Sequence, residues 1–196
     1  EGTLGFISSV TYNTVPEYPH KATALVVFES VEECCRAVPL LKQQPVDAVE
    51  LLDRRSMRAV ENQDGLPEWV KALSQDACAL LIETRAASRL ILHEQIERVR
   101  SVLVPFSVEK QVEFTENATL SNKLWAIRKG TFPAVGAVRP NGTTVIIEDV
   151  TFPIPQLAEG VKRLTKLFEK HDWFSAPVID SGGHLLGRIT IDDVID

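Results

Sequence analysis

Histidine, cysteine, methionine and tyrosine are all scarce in this chain. Its 196 residues include four histidines, three cysteines, two tyrosines and one methionine. Three cysteines, of which Cys34 and Cys35 are adjacent and Cys78 stands apart, do not make a disulfide framework. That usage favours a reducing, intracellular setting. No C-x-x-C pattern offers a zinc site. The histidines His20, His93, His171 and His184 are scattered, and His93 has no ligand partner four residues on. No apolar run approaches the ~20 residues that span a bilayer. The longest, "TALVVF" and "ACALLI", have the length of strands. Positive charge is not in excess either. A net charge of −6 and a pI of about 5.3 exclude a general binder of phosphate backbones. The first residue is not methionine, and no signal peptide follows it. Glu1 opens directly into an alternating pattern, so the expectation is a chain that begins inside a larger reading frame.

What is present is ordinary for a globular protein: 44% hydrophobic and 24% charged residues, in a length suited to one large domain or two small ones. Strand and helix signals alternate. "TLGFISSVTYN" (3–13) alternates apolar and polar residues as a half-buried strand does, and the two prolines of "TVPEYPH" (14–20) mark a linker. Strands are predicted over 21–30, 46–53, 77–86, 107–117 and 142–153. Helices are predicted over 31–43, 53–62, 86–104, 118–138 and 154–172, the fourth bent or ended near Pro133. Ser30 with Glu33 reads as a capping box, "DGLP" (64–67) as a turn, and 175–192 as a hairpin around Ser181, Gly182 and Gly183. The pattern is α+β or α/β, and two βαβ-type passes between 21 and 117 suit a ferredoxin-like sandwich.

Several blocks resemble the FAD-linked D-lactate dehydrogenase (D-2-hydroxy-acid dehydrogenase) family over about residues 1–172. They are "EGTLGFISSVTYNTVPEYPHKATALVVF", "PVDAVELLDRRSMRAVEN", "ALLIETRA" and, most specific, "LWAIRKGTFPAVGAVRPNGTTVIIEDVTFPIPQLAEGV". The resemblance implies oxidation of a D-2-hydroxy acid to the 2-oxo acid, with FAD taking the hydride and a quinone or cytochrome as the electron acceptor. It implies an α+β fold, the ferredoxin-like α/β sandwich of the FAD-linked oxidase C-terminal domain. On that reading residues 1–20 are the end of the FAD-binding domain and a linker, and 21–153 are the substrate domain. Glu1, Gly2, Thr3, Leu4 and Gly5 match the segment that lies against FAD, where two glycines let the backbone approach a cofactor. Arg128 matches the arginine of the substrate carboxylate, a role that suits a planar fork of N–H donors. Read from the residues alone, Arg128 is equally a solvated helix arginine, "EGTLG" a bulge and Trp125 a core residue. Glu148 with Asp149, and Glu50 with Asp53, read as solvated acidic residues. Some relatives carry a lysine near the position of Ile147, and it is missing here. The family's histidine-rich motif, which binds a divalent metal in the complete enzyme and supplies the base, has no match either. No catalytic residue and no metal ligand is therefore assigned to this chain.

Residues 173–196, "SAPVIDSGGHLLGRITIDDVID" within them, resemble the second half of a CBS domain of magnesium-transporter type. That makes 154–196 an amphipathic helix followed by a CBS-like hairpin. By this resemblance Gly187, Thr190 and Asp193 would contact an adenine nucleotide, and Asp192, Asp193 and Asp196 would draw Mg²⁺ weakly. Two functions from different classes follow: a piece of a flavoenzyme acting on a small 2-hydroxy acid, or a regulatory module for adenine nucleotide or Mg²⁺. Both exclude nucleic acid as a partner and admit a homodimer. The expected location is cytoplasmic or peripheral at the inner face of the membrane.

Overall fold

The computed structural model describes residues 6–62, 68–138, 152–171, 173 and 175–190. Three strands make the central sheet: β1 (His20–Phe28), β2 (Ala48–Leu52) and β3 (Cys78–Ala86), in the order β1-β3-β2 with both pairings antiparallel. Between them run α1 (Val31–Leu41) and α2 (Arg54–Val60), and after them α3 (Arg89–Leu103) and α4 (Ala118–Val138). Helix α5 (Leu157–His171) packs against α1, with Lys162 paired to Glu32 at 3.1 Å. It leads into a separate antiparallel hairpin, β4 (Ser175–Ile179) and β5 (Leu185–Thr190).

Strand alternation decides the layers. The even-numbered residues of β1 and β3, among them Ala24, Val26, Phe28, Leu80 and Ile82, join Cys34, Ala37 and Leu41 of α1 and Val99 and Leu103 of α3 in one core cluster. The odd-numbered Val27 and Ala79 face the other way, onto Leu52, Met57 of α2, Val70 and Leu73. The sheet therefore lies between α1 and α3 on one side and α2 and α4 on the other. Caps fix the helix starts. Ser30 accepts from the Glu33 N–H at 3.2 Å, Asp53 from Ser56 at 2.6 Å and Ser88 from Ile91 at 3.3 Å. Arg54, buried, ties α2 to the short 3₁₀ turn Glu68–Ala72 by reaching Glu61 and the Lys71 carbonyl, each at 3.4 Å. Cys34, Cys35 and Cys78 are all buried and free, and burial pushes the Cys35 thiol up to about 11.

Several expectations need correction. Residues 107–117 do not form a strand. They run beside β1 through isolated bridges, Phe28 with Val108 and Thr23 with Thr115. The Glu109 N–H bonds the Val27 carbonyl at 2.8 Å, while its carboxylate accepts from the Ser74 hydroxyl at 2.7 Å and the Lys110 ammonium sits 4.9 Å from the Trp69 ring centroid. Residues 6–13 form no strand either. Phe6, Ile7 and Tyr12 are exposed, because among the described residues no neighbouring strand satisfies their alternation. Helix α4 continues five residues past Pro133, to Val138. The expected turn at 64–67 and most of the expected strand at 142–153 lie outside the described residues.

In the hairpin, Gly183 has φ +82, a conformation suited to glycine. Beside it the Asp180 carboxylate accepts from the His184 N–H at 2.9 Å and the Gly182 N–H at 2.8 Å. The His184 backbone bond is the largest cause of an Asp180 pKa below the ordinary 3.8, with the His184 ring next. A depressed carboxylate stabilises the turn fully above its ordinary value and loses that effect as pH falls through the depressed one. The Asp180 side-chain carboxyl carbon should therefore titrate below the ordinary carboxylate value in an NMR pH series. Movement centred above the ordinary carboxylate range would contradict this. For the core, Phe28→Ala should cost about 3–5 kcal/mol in urea unfolding, and Val104→Ala, at an exposed site, less than about 0.5 kcal/mol.

Candidate functional site

The face of the sheet under α2 and α4 is graded. Register places Val27, Ala79 and Leu52 in one row, Leu25, Leu81 and Glu50 in the next, and then Thr23, Glu83 and Ala48. The last row on this face pairs Lys21 with Arg85. The apolar end lies under α2 and the polar end meets α4.

At the polar end sits Glu83, a glutamate only 2% exposed. Burial of an ionised carboxylate is costly unless every lone pair finds a donor. Glu83 Oε1 accepts from Arg85 Nε at 2.8 Å, and Arg85 Nη2 lies 2.7 Å from the same oxygen. Oε2 accepts from Trp125 Nε1 at 2.7 Å and from Thr23 Oγ1 at 3.2 Å. Thr23 has a single hydroxyl proton and gives it to Glu83, so Ser121 Oγ is the donor in its 2.7 Å contact with Thr23 Oγ1. The hydrogen bond to Glu83 in turn pushes the Arg85 pKa above its ordinary value, keeping it cationic.

Ser121, Trp125 and Arg128 are spaced i, i+4, i+7, so they form one stripe of α4. The stripe touches all three strands: Ser121 meets Thr23 of β1, Trp125 meets Glu83 of β3, and Arg128 Nε donates to Glu50 Oε2 of β2 at 3.0 Å. The Arg128 and Glu50 side chains are 43% and 39% exposed, so this last contact opens to solvent where the Ser121 contact is buried and the Trp125 contact half-buried. The stripe holds a guanidinium at the mouth of a polar cluster, with its Nε side tied to the sheet. That arrangement can present the Nη1/Nη2 edge to an anion.

Of the site residues expected from sequence, Arg128 is therefore placed on the sheet, half-exposed, and paired rather than simply solvated. Trp125 is half-buried and spends its N–H on Glu83. Glu50 holds Arg128 and Asp53 caps α2, so neither is merely a solvated acid. Glu1, Gly2, Thr3, Leu4 and Gly5 lie outside the described residues, as do Ile147, Glu148, Asp149, Asp192, Asp193 and Asp196. Gly187 pairs with Val178 and Thr190 with Ser175 in the hairpin, and a Cβ at Gly187 would meet nothing within 4 Å. Glu83, Thr23 and Ser121 escaped the sequence reading. The one available signal was a glutamate within "ALLIETRA", a run apolar enough to be buried on both faces, where a charge must be paired.

Among the described residues no group of three or more His, Cys, Asp or Glu could hold a metal ion. His93 pairs with Glu116 at 2.8 Å, His184 with Asp180 at 3.1 Å, and His171 stacks on Trp173. The described residues thus do not fit a divalent metal. For a flavin, the segment after Gly5 leaves Phe6, Tyr12 and Val15 outward and does not by itself form a walled site. Among the described residues no helix is long and apolar enough to cross a membrane.

Comparison with known proteins places this geometry in context. The family model described as FAD linked oxidases, C-terminal domain, matches residues 17–185. The match runs past Asp172 through β4, so the seam expected between 172 and 173 is not a boundary of the family. The glycolate oxidase subunit GlcD of Escherichia coli (strain K12) is 29% identical over 176 residues, 86% of this chain and 33% of that protein. The same-named subunit of Bacillus subtilis (strain 168) is 25% identical over 176 residues, 88% of this chain and 35% of that protein. The D-lactate dehydrogenase of Anaerostipes hadrus is 24% identical over 165 residues, 81% and 34% of the two chains. The chain spans about a third of the length of these curated relatives.

The polar cluster makes its own prediction. Glu83→Ala should destabilise the chain by about 3–5 kcal/mol, because it strands the buried donors of Thr23 and Trp125 and frees Arg85. Trp125→Phe, which removes one donor and leaves Thr23 and Arg85 on the carboxylate, should cost about 1–3 kcal/mol. Urea unfolding followed by circular dichroism measures both, and a Trp125→Phe cost equal to that of Glu83→Ala would mean the carboxylate is not the hub.

Proposed function

The chain belongs to the family of FAD linked oxidases, C-terminal domain, and on that premise we propose that it is the substrate-side domain of a flavin-dependent oxidoreductase. Its substrate is a small 2-hydroxy acid of the glycolate and D-lactate class, converted to the 2-oxo acid. Arg128 is the residue that binds the substrate carboxylate. The observation that carries this reading is the placement of Arg128: half-exposed, tied at Nε, and mounted on a helix held by a buried contact at Ser121 and a half-buried one at Trp125.

Bound FAD supplies the two-electron acceptor of such a reaction. Glu1 to Gly5 are the residues of this chain assigned to face it, and the exposed apolar side chains from Phe6 to Val15 suit cover by the flavin-binding part of the protein. The chain's own contribution is to bind and orient. A carboxylate taken by the Nη1/Nη2 edge is fixed in plane and direction, and this fixes where C2 and its hydroxyl point. No base is assigned among these residues. The order β1-β3-β2, with 107–115 alongside β1, supports the ferredoxin-like reading of the substrate domain. A quinone or cytochrome acceptor and a homodimer extend this proposal.

In the complete flavoprotein, Arg128→Lys should lower kcat/KM for glycolate or D-lactate by about ten- to a hundredfold, since lysine keeps the charge and loses the fork. FAD content should stay unchanged. An unaltered kcat/KM would remove Arg128 from the substrate site.

A further inference from the structure

We infer that Glu50 is the positioning residue for Arg128, an inference that rests on the carboxylate reading of Arg128 given above. Arg128 has two edges that can form a fork with an anion, one through Nε and one through Nη1 and Nη2. Glu50 engages the Nε side through a single oxygen, Oε2, at 3.0 Å. A carboxylate competing for the ligand's place would take the outer fork. Glu50 instead approaches from the sheet, and among the described residues no other group takes the outer edge, which is left for a ligand.

Both ends of this contact are rigid. Glu50 stands in the middle of β2, paired in register with Leu81 of the central strand. Arg128 belongs to a helix already held one and two turns earlier, by Trp125 on Glu83 and Ser121 on Thr23. Between these fixed backbones the arginine and glutamate side chains can turn, and ordering the long arginine for a ligand is entropically expensive. Glu50 bears that cost before any ligand arrives. It also neutralises part of the cation, which opposes anion binding. At exposures near 40% for both partners, that electrostatic term is screened by solvent, so orientation outweighs it.

The two terms separate by substitution. Glu50→Gln keeps an oxygen that accepts from Nε and removes the charge. Glu50→Ala removes both. The order of carboxylate affinity should be Gln equal to or tighter than Glu, and Ala about three- to tenfold weaker than Glu. The probe is glycolate or D-lactate, titrated anaerobically into the ¹⁵N-labelled complete flavoprotein while the Arg128 Nε–Hε resonance is followed by NMR. Thermal midpoints of both variants should stay within about 4 °C of the parent, because an exposed ion pair adds little stability. Weaker binding in Glu50→Ala with recovery in Glu50→Gln supports the positioning role. Parent-like or tighter binding in Glu50→Ala overturns it and leaves the carboxylate reading of Arg128 standing. An Arg128 resonance in the parent flavoprotein that no 2-hydroxy acid moves overturns the carboxylate reading itself, and the positioning role with it.

Discussion

A single buried carboxylate governs the polar half of this molecule. Glu83 lies on the central strand, where an unpaired charge would be far more costly than any packing gained around it. Its neutralisation recruits Arg85 from its own strand, Thr23 from β1 and Trp125 from α4. Each partner is thereby fixed to the sheet. The cluster gives α4 a directional attachment at the end of the sheet where the apolar packing of Val27, Ala79, Leu52 and Met57 has run out. Hydrophobic contact alone is non-directional and would let a helix settle in several ways. Hydrogen bonds to a buried charge do not.

The gradient across that face connects fold to function. The apolar end is sealed under α2 and the turn at Glu68–Ala72, and supplies stability. The polar end rises from the covered pair Thr23–Ser121, through the half-covered Trp125, to the open pair Glu50–Arg128. Binding residues on a rigid scaffold lose less entropy when a ligand arrives. The proposed site follows that logic, since Arg128 is carried by a helix held to the sheet by a buried contact at Ser121 and a half-buried one at Trp125.

Much of this was legible in the sequence, for reasons that differ by element. The strands of the central sheet and the cap at Ser30 depend on local pattern and local hydrogen bonds, and the pattern found them, whereas Asp53, read as a solvated acid, caps α2. The segment 107–117 has the same alternating pattern yet bridges β1 at only two places, with Glu109 bonded to Val27 by its N–H and to Ser74 by its carboxylate. Alternation records that a segment is half-buried, not what buries it. The same limit applies to residues 6–13, whose apolar side chains remain outward. Arg128 was legible through family resemblance. Its partner Glu50 lies 78 residues away in sequence, and Trp125 is 42 residues from Glu83. Pairings at that distance leave no local signal, so the cluster could be read only from the fold.

The stripe of α4 also makes its seating discrete. A helix turns about 100° and rises about 1.5 Å per residue. Sliding α4 by one residue would therefore swing Ser121, Trp125 and Arg128 off Thr23, Glu83 and Glu50 together, and no intermediate setting keeps two of the three. The arginine's position works as a detent rather than a dial: small disturbances elsewhere on α4 are absorbed without moving the guanidinium, while one large enough to unseat the helix displaces it by a whole notch.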